Sequence, residues 1–253
     1  MKKNNSFVIL PIGFIALILA LILYIIYFES DFAFTRNSKT IDRRMGNTIS
    51  NQTNNQQAGQ TKTDQTATQV NLNVPFSSQA PGGDWSYPFE HTCEEVSVLM
   101  VHYYLKGKTF GDVNETRQEL LDIVNFENQK YGFSNDTDTE QTAIFARDYY
   151  GYNVETFYNI TLDDIKRELK DGNPVIVPTA GRLLGNPNFT GLGPIYHMLV
   201  IKGYTSDEFI TNDGGTRNGA NYRYSYKVLK NAIHDWNKGD ILNGRSAMIV
   251  IKK

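Results

Sequence analysis

The sequence predicts an α+β domain in its larger, C-terminal part, in which helices come first and strands follow. Apolar side chains recur at helical spacing in the segment that begins near Thr92. They are Val96, Leu99, Met100 and Tyr103. Strand-like runs appear later, as at 175–177, where three β-branched residues are adjacent. The chain before this domain has a different composition, which indicates a separate organisation.

The predicted elements follow one another with short connections. We expect helices from Thr92, over 115–126, over 140–150, from Thr161 to about 171 and over 226–235, and strands over 152–158, 174–179, 195–202, 208–212 and 247–251. Thr92 and Glu95 fit a capping box at the start of the first helix. Gly151 should end the third helix with left-handed backbone. The Gly- and Asn-rich loop 181–194 is either a lid or substrate wall, or a plain surface loop.

The N-terminal segment predicts a membrane anchor. Residues 7–28 carry no charge and are mostly apolar, which is long enough for a helix to cross a bilayer. Lys2 and Lys3 precede it and favour a cytoplasmic N-terminus. A cleaved signal peptide is the alternative, but the run is long and no small-x-small site follows. We expect 1–6 in the cytoplasm, 7–28 as a signal anchor and the domain outside the cytoplasm.

The segment between anchor and domain predicts a disordered polar linker over 29–70. Asn, Gln, Thr and Ser dominate its residues 36–70. Such a composition buries too little apolar surface to offset the entropy lost on ordering. The domain is therefore expected over 71–253.

Charge and cysteine content exclude several classes of protein. The first 70 residues hold 7 of the 25 Lys and Arg and 4 of the 27 Asp and Glu, so the rest of the chain is mildly acidic. This argues against a nucleic-acid partner. A single cysteine excludes an intrachain disulfide and a Cys-rich zinc site. The histidines lack ligand spacing, and we expect no metal and no cofactor.

Cys93 is the candidate nucleophile. As the first residue of its helix it would feel the positive end of the helix dipole, which lowers the pKa of a thiol. Glu94 and Glu95 act in the opposite direction, and their plain interpretation is capping of the first helical turn. A cation near the sulfur is then needed, and protonated histidine is the obvious one. Otherwise a lone cysteine is usually a small buried side chain.

Among the four histidines, His197 is the best partner for Cys93. It begins an apolar strand directly after a Gly- and Pro-rich loop, where it can face a cleft. His91 is expected in a surface loop, and His234 in a structural place on the late helix. His102 lies nine residues past Cys93, more than two helical turns away.

Asp213 is the candidate partner of His197. The two residues lie eight positions on either side of a turn centred near Thr205. Directly paired residues of a hairpin have Cβ atoms about 4.5–5.5 Å apart, so the carboxylate could orient the imidazole. A β-bulge would shift the register and make Asn212 the alternative. Asp213 also fits a plain turn before Gly214.

Gln79 completes the set, fourteen residues before Cys93. Its amide and the backbone N–H of Cys93 could donate to a developing oxyanion. The sequence resembles the bacteriocin-processing (double-glycine leader) peptidase-like family of the papain-like superfamily over about 72–253. The resemblance rests on residues 74–79, 92–95, 196–200 and 210–214.

The resemblance implies a papain-like cysteine peptidase fold, with the N-terminal helices packed on a C-terminal antiparallel sheet. It implies Gln79 as oxyanion donor, Cys93 as nucleophile, His197 as base and Asp213 as orienter. The better-known members have Gly-Pro after the cysteine, where this chain has Glu94-Glu95.

Three functions stay open on the sequence. The first is an anchored, extracytoplasmic cysteine peptidase or amide hydrolase. The second is a catalytically inactive cell-surface binding module of the same fold, which the acidic pair beside Cys93 favours. The third is acyl transfer to an amine, as in transglutaminase-like crosslinking. The predicted topology places a peptide or protein substrate, such as an envelope component, at the cell surface.

Overall fold

The computed structural model describes residues 69–253, in which helices pack on one antiparallel sheet, and it confirms the α+β prediction. The helices are α1 (Cys93–Lys106), α2 (Val113–Tyr131), α3 (Thr139–Tyr150), α4 (Leu162–Lys170) and α5 (Tyr226–Ala232). The strands are β1 (Val70–Asn71), β2 (Asn153–Tyr158), β3 (Val175–Ala180), β4 (Tyr196–Tyr204), β5 (Glu208–Asn212), β6 (Tyr222–Ser225) and β7 (Ala247–Lys252).

The sheet has the order β2-β7-β3-β4-β5-β6, and β1 pairs with the end of β4. Every residue of β3 and β4 is buried. Along β4, Met198 and Val200 belong to the core formed with α1, α2 and α3, whereas Leu199 and Ile201 belong to the core formed with α4 and α5. This alternation has the period of two expected for a strand, and it places β4 at the centre of the fold.

Side-chain caps begin most of the helices. Asp112 accepts hydrogen bonds from two backbone N–H groups at the start of α2, and Asp138 and Thr161 form capping boxes at the starts of α3 and α4. Gly151 ends α3 with a φ of 72°, as predicted.

The predicted capping box of α1 is wrong. The Thr92 hydroxyl donates to the carbonyl oxygens of Gln79 and Phe89, at 3.0 and 3.3 Å, and Thr92 caps no backbone N–H through its side chain. The segment carrying Gln79 packs on the start of α1, and the hydroxyl is directed at its carbonyl oxygen and at that of Phe89 instead of at the first N–H groups of the helix. Glu95, the other half of the predicted box, is fully buried.

Several boundaries differ from the predicted ones. α2 extends to Tyr131, and α5 ends at Ala232. Strands β1 and β6 were not predicted, because two and four residues are too short to show a periodic pattern. The predicted anchor 7–28 and linker 29–70 lie outside the described residues, apart from the last two linker positions. Within 69–253 no helix combines the length and the apolarity that crossing a bilayer requires.

A buried pair of acids joins α1 to α2. Glu95 and Glu127 are 0% and 1% exposed, and the charge of Glu127 adds to burial in raising the pKa of Glu95. Two buried carboxylates that share one site repel each other, so the pair favours a proton on one of them. Burial is the main cause that raises both pKa values. The folded protein therefore holds protons here that the unfolded chain releases.

The first prediction concerns the pH dependence of stability. A raised folded-state pKa means that stability is fully present below the unfolded pKa of about 4.5 and is lost as pH rises toward the folded pKa. The free energy of unfolding should fall by about 1.4 kcal/mol per pH unit for each retained proton. Glu127→Gln should reduce this slope between pH 5 and 7 in urea titrations, whereas Asp122→Asn on the exposed face of α2 should not. An unchanged slope in Glu127→Gln would contradict the retention of a proton by this buried pair of acids.

Candidate active site

A cavity of about 880 Å³ opens where the start of α1 meets the start of β4. Its lining includes Gln79, Cys93 and His197. The loop predicted over 181–194 begins with the 3-10 turn Gly181–Leu184 and forms part of the cavity wall through Phe189 and its neighbours. The fourth residue predicted from the sequence, Asp213, lies behind His197 and is fully buried.

Cys93 is the first residue of α1 and is 6% exposed. Its sulfur is hydrogen-bonded by the backbone of Met198, which follows His197 on β4, and lies 3.0 Å from Oε2 of Glu94. Burial first, and Glu94 second, raise the pKa of the thiol well above its ordinary value. Desolvation outweighs the helix N-terminus and the Met198 bond, both of which favour the thiolate.

Glu94 does not cap the helix in solvent, as the sequence predicted, but lies in the interior with 0% exposure. Burial, followed by repulsion from Glu95, raises the pKa of Glu94 well above its usual range. A carboxyl group in this position favours the proton-bearing form. Glu94 therefore opposes the thiolate of Cys93 much less than a solvated carboxylate at the same distance would.

His197 and Asp213 form a buried hydrogen bond, but by a different route from the one predicted. The β4–β5 ladder pairs Val200 with Asn212, and a bulge follows between Ile201 and Gly203. Direct pairing of His197 with Asp213 is therefore wrong, since Asp213 lies one residue beyond the end of β5. There the chain turns back, and Nε2 of His197 lies 2.8 Å from Oδ1 of Asp213.

Asn212, the alternative partner, has a different place. Its side-chain amide donates to the carbonyl oxygens of Val74 and Pro75, at 3.0 and 3.2 Å. It thus holds the N-terminal segment of the domain against β5. Asp213, and not Asn212, faces His197.

Asp213 accepts hydrogen bonds from three groups besides His197, and hairpin geometry predicts none of them. Its Oδ1 also accepts from the backbone N–H of Gly215 at 3.0 Å, and its Oδ2 accepts from the Tyr224 hydroxyl at 2.6 Å and the Asn186 amide at 3.2 Å. Burial alone would raise the pKa of Asp213. The charge of His197 and the hydrogen bonds from His197, Tyr224 and Gly215 outweigh burial and hold the pKa below its usual value. Asp213 is thus a carboxylate that binds Nε2–H of His197 and leaves Nδ1 to accept a proton.

Gly215, the second residue after Asp213, is required by close packing as well as by the turn. A Cβ atom on Gly215 would lie 2.9 Å from Cε1 of His197 and 3.0 Å from the Phe189 ring. Phe189 contacts the imidazole edge to face, with ring centroids 5.6 Å apart. Only glycine allows the turn to approach the histidine this closely.

Gln79 lines the cavity, but its amide is engaged. Nε2 donates to the carbonyl oxygens of Phe89 and Glu90, both at 3.0 Å, and the backbone N–H donates to Gly214 at 2.9 Å. These bonds join the segment before α1 to the turn that follows Asp213. Donation to an oxyanion would require one amide bond to be released, so this role of Gln79 stays a prediction.

Tyr224 and Asn186 were missed by sequence reasoning. They lie 11 and 27 positions from Asp213, on β6 and in the loop after β3. Their hydroxyl and amide also bond to each other at 2.8 Å. No local pattern marks such residues. Asn186 lies in the Gly- and Asn-rich loop and Tyr224 in a tyrosine-rich stretch, and neither signal points to a carboxylate partner.

In this chain helices precede an antiparallel sheet. A cysteine lies at the start of the first helix, and a buried histidine lies on a central strand. This arrangement fits a papain-like cysteine peptidase fold. The model of the Peptidase_C39 like family matches residues 71–239, and the chain belongs to this family. The resemblance stated from the sequence is thereby confirmed, and membership points to a cysteine peptidase.

One similar solved structure is a crystal structure from Bacillus anthracis, provisionally assigned as a C39-like peptidase. It shares 17% sequence identity, covers 73% of this chain and 98% of its own, and has a TM-score of 0.48. Among curated proteins, none matches the chain.

The second prediction concerns Tyr224. Tyr224→Phe removes a buried hydroxyl that donates to a carboxylate, and hydrogen bonds to charged groups contribute about 1.5–3 kcal/mol. We expect the free energy of unfolding to fall by about that amount in chemical denaturation. Tyr222→Phe on the same strand is the control, because its hydroxyl does not bond to Asp213. Equal effects of the two changes would contradict a specific bond to Asp213.

Proposed function

We propose that this chain is a cysteine peptidase or amide hydrolase in which Cys93 is the nucleophile, His197 the base and Asp213 the residue that orients the base. The observation that carries the proposal is the buried hydrogen bond between His197 and Asp213, at the wall of the cavity that Cys93 also lines. A base held in one tautomer beside a helix-terminal cysteine is the arrangement that thiol acyl transfer requires.

The reaction starts from a neutral thiol, because burial raises the pKa of Cys93 well above its ordinary value. Nδ1 of His197 takes the thiol proton while the sulfur attacks the substrate carbonyl carbon, and the carbonyl electron pair moves to oxygen. Collapse expels the amine, which receives the proton from His197, and leaves a thioester. Water, deprotonated by His197, then hydrolyses the thioester and restores the thiol.

Asp213 and the oxyanion donors have separate roles in this scheme. Asp213 stabilises the imidazolium that forms in each half of the reaction. The backbone N–H of Cys93 donates to no acceptor among residues 69–253 and is available for the oxyanion. The Gln79 amide is the second donor, once it releases the carbonyl oxygen of Phe89 or Glu90.

The walls of the cavity support a peptide or protein as substrate. Apolar and aromatic side chains contribute to the lining, and Trp85 and Ile195 are 44% and 60% exposed. A groove of this kind can accept apolar side chains on either side of a scissile amide. Glu90 and Asp136 add negative charge to the lining.

We further propose that residues 7–28 anchor the enzyme in the cell membrane and that 29–70 tether the catalytic domain outside the cytoplasm. The support is the uncharged apolar run with Lys2 and Lys3 before it. Protease added to intact cells should then degrade the domain. Degradation only after the cells are lysed would contradict this orientation.

A catalytically inactive binding module is the second candidate. The specific observation in its favour is the raised pKa of Cys93, together with the contact between its sulfur and Glu94. In such a module the cavity would bind a peptide without covalent chemistry. Acyl transfer to an amine uses the same residues as hydrolysis and differs only in the acceptor.

The third prediction tests turnover. The full-length protein in detergent is incubated with a complex peptide mixture, and new termini are identified by mass spectrometry. We expect cleavage that Cys93→Ala abolishes, and a fall in kcat/KM of at least about 10³ in His197→Ala. His102→Gln should keep the activity, because His102 bonds to Tyr152 away from the cavity.

Added primary amine distinguishes the remaining outcomes. Products that carry the amine indicate transfer, and products with free carboxyl termini indicate hydrolysis. Peptides that bind at the cavity but are never cleaved would favour the binding module.

A further inference from the structure

Glu94 holds a position that the proposed chemistry does not yet use. Its Oε2 lies 3.0 Å from the Cys93 sulfur, and its side chain has no exposure to solvent. The other oxygen, Oε1, has no hydrogen-bond partner among the residues that the structure describes. An ionised carboxylate with an unpartnered buried oxygen is strongly disfavoured.

Within residues 69–253, the titratable groups that interact with Glu94 are acids. The titratable groups that interact with it are Cys93 and Glu95 on α1, Glu127 on α2, Asp136 in the loop before α3, and Tyr196 on β4. Burial first, and Glu95 next, raise the pKa of Glu94. The Cys93 sulfur, in contrast, is bonded by the Met198 backbone and lies at the helix N-terminus, and both features favour the thiolate.

We propose that Glu94 is a further catalytic residue, a neutral carboxylic acid whose O–H donates a hydrogen bond to the Cys93 sulfur when His197 removes the thiol proton. This inference rests on the proposed function. Neutral carboxylic acids kept in apolar surroundings are effective donors to a developing anion.

The proton balance is simple. In the resting site the thiol donates to Oε2 of Glu94, and the carboxylic proton is on the other oxygen. A half-turn of the carboxyl group exchanges the two oxygens and directs O–H at the sulfur as the thiol proton moves to Nδ1 of His197. Glu94 keeps its proton throughout. If Glu94 ionises, its charge repels the thiolate and returns Cys93 to the thiol form.

This role explains why Glu94 and Glu95 are both buried but are not equivalent. Glu94 contacts the sulfur, whereas Glu95 lies against Glu127 and does not contact the sulfur. It also predicts that the reaction slows at alkaline pH, where the Glu94 carboxyl group ionises. Loss of the Glu94 proton removes a donor and adds a repelling charge at the same atom.

The test is the pH dependence of alkylation by iodoacetamide in the full-length protein, where Cys93 is the single cysteine. In the wild type the rate should fall at least fivefold on the alkaline side. In Glu94→Gln the amide donates at every pH, so this fall should disappear. Glu94→Leu has no donor and should be at least tenfold slower at neutral pH.

Two further variants distinguish failure of the role proposed for Glu94 from failure of the proposed function. Glu127→Gln removes a buried acid of the same cluster that does not contact the sulfur, and it should keep the alkaline fall. His197→Ala should lose the fast reaction at neutral pH. If the rate is indifferent to His197, the proposed function fails.

Two other results overturn the role of Glu94 while leaving His197 in place. One is a Glu94→Gln profile that matches the wild type at every pH. The other is a Glu94→Gln rate far above the wild type at neutral pH, which would mean that Glu94 is ionised there and inhibits the thiol.

Discussion

The site depends on the burial of the first turn of α1 against the start of β4. Cys93 belongs to this turn, and the Met198 backbone bonds to its sulfur. The Ser97 hydroxyl, one turn later, lies 2.7 Å from the Cys93 carbonyl oxygen and 3.3 Å from that of Met198. The same burial places Cys93 in the wall of the cavity that His197 also lines, and it removes water from the acids that follow Cys93. Reactivity of the sulfur is therefore decided by the protein groups around it.

The number of hydrogen-bond donors around each buried carboxyl group decides whether that group is charged. Asp213 accepts from an imidazole, a hydroxyl, an amide and a backbone N–H, and its pKa is held below the usual value. Glu94 and Glu95 are equally buried without such donors, and their pKa values are raised. The fold thus keeps Asp213 as a carboxylate that contacts His197, and it keeps acids that favour their protonated form next to Cys93. In the proposed reaction the two kinds of acid serve opposite electrostatic needs.

Helix periodicity and β-branched runs are local properties of the sequence, and they predicted most of the helices and strands. Family motifs are local too, and the order of Gln79, Cys93, His197 and Asp213 predicted the candidate site. The interaction of Glu95 with Glu127 was not predictable, since Glu127 lies thirty-two positions away on another helix. The register of β4 and β5 also depended on a distant contact. The bulge lies beside Gly203, where a Cβ atom would be 2.2 Å from the carbonyl oxygen of Val70.

The most direct measurement of the central claim is the mass of the enzyme during turnover. A reaction with a cleaved peptide is stopped with acid within the first catalytic cycle, and the protein is digested and mapped. Our account predicts the acyl half of the substrate on the fragment that contains Cys93, as a thioester that hydroxylamine removes. An acyl group on another residue, or a Cys93→Ala variant that cleaves the same peptide at the wild-type rate, would contradict it.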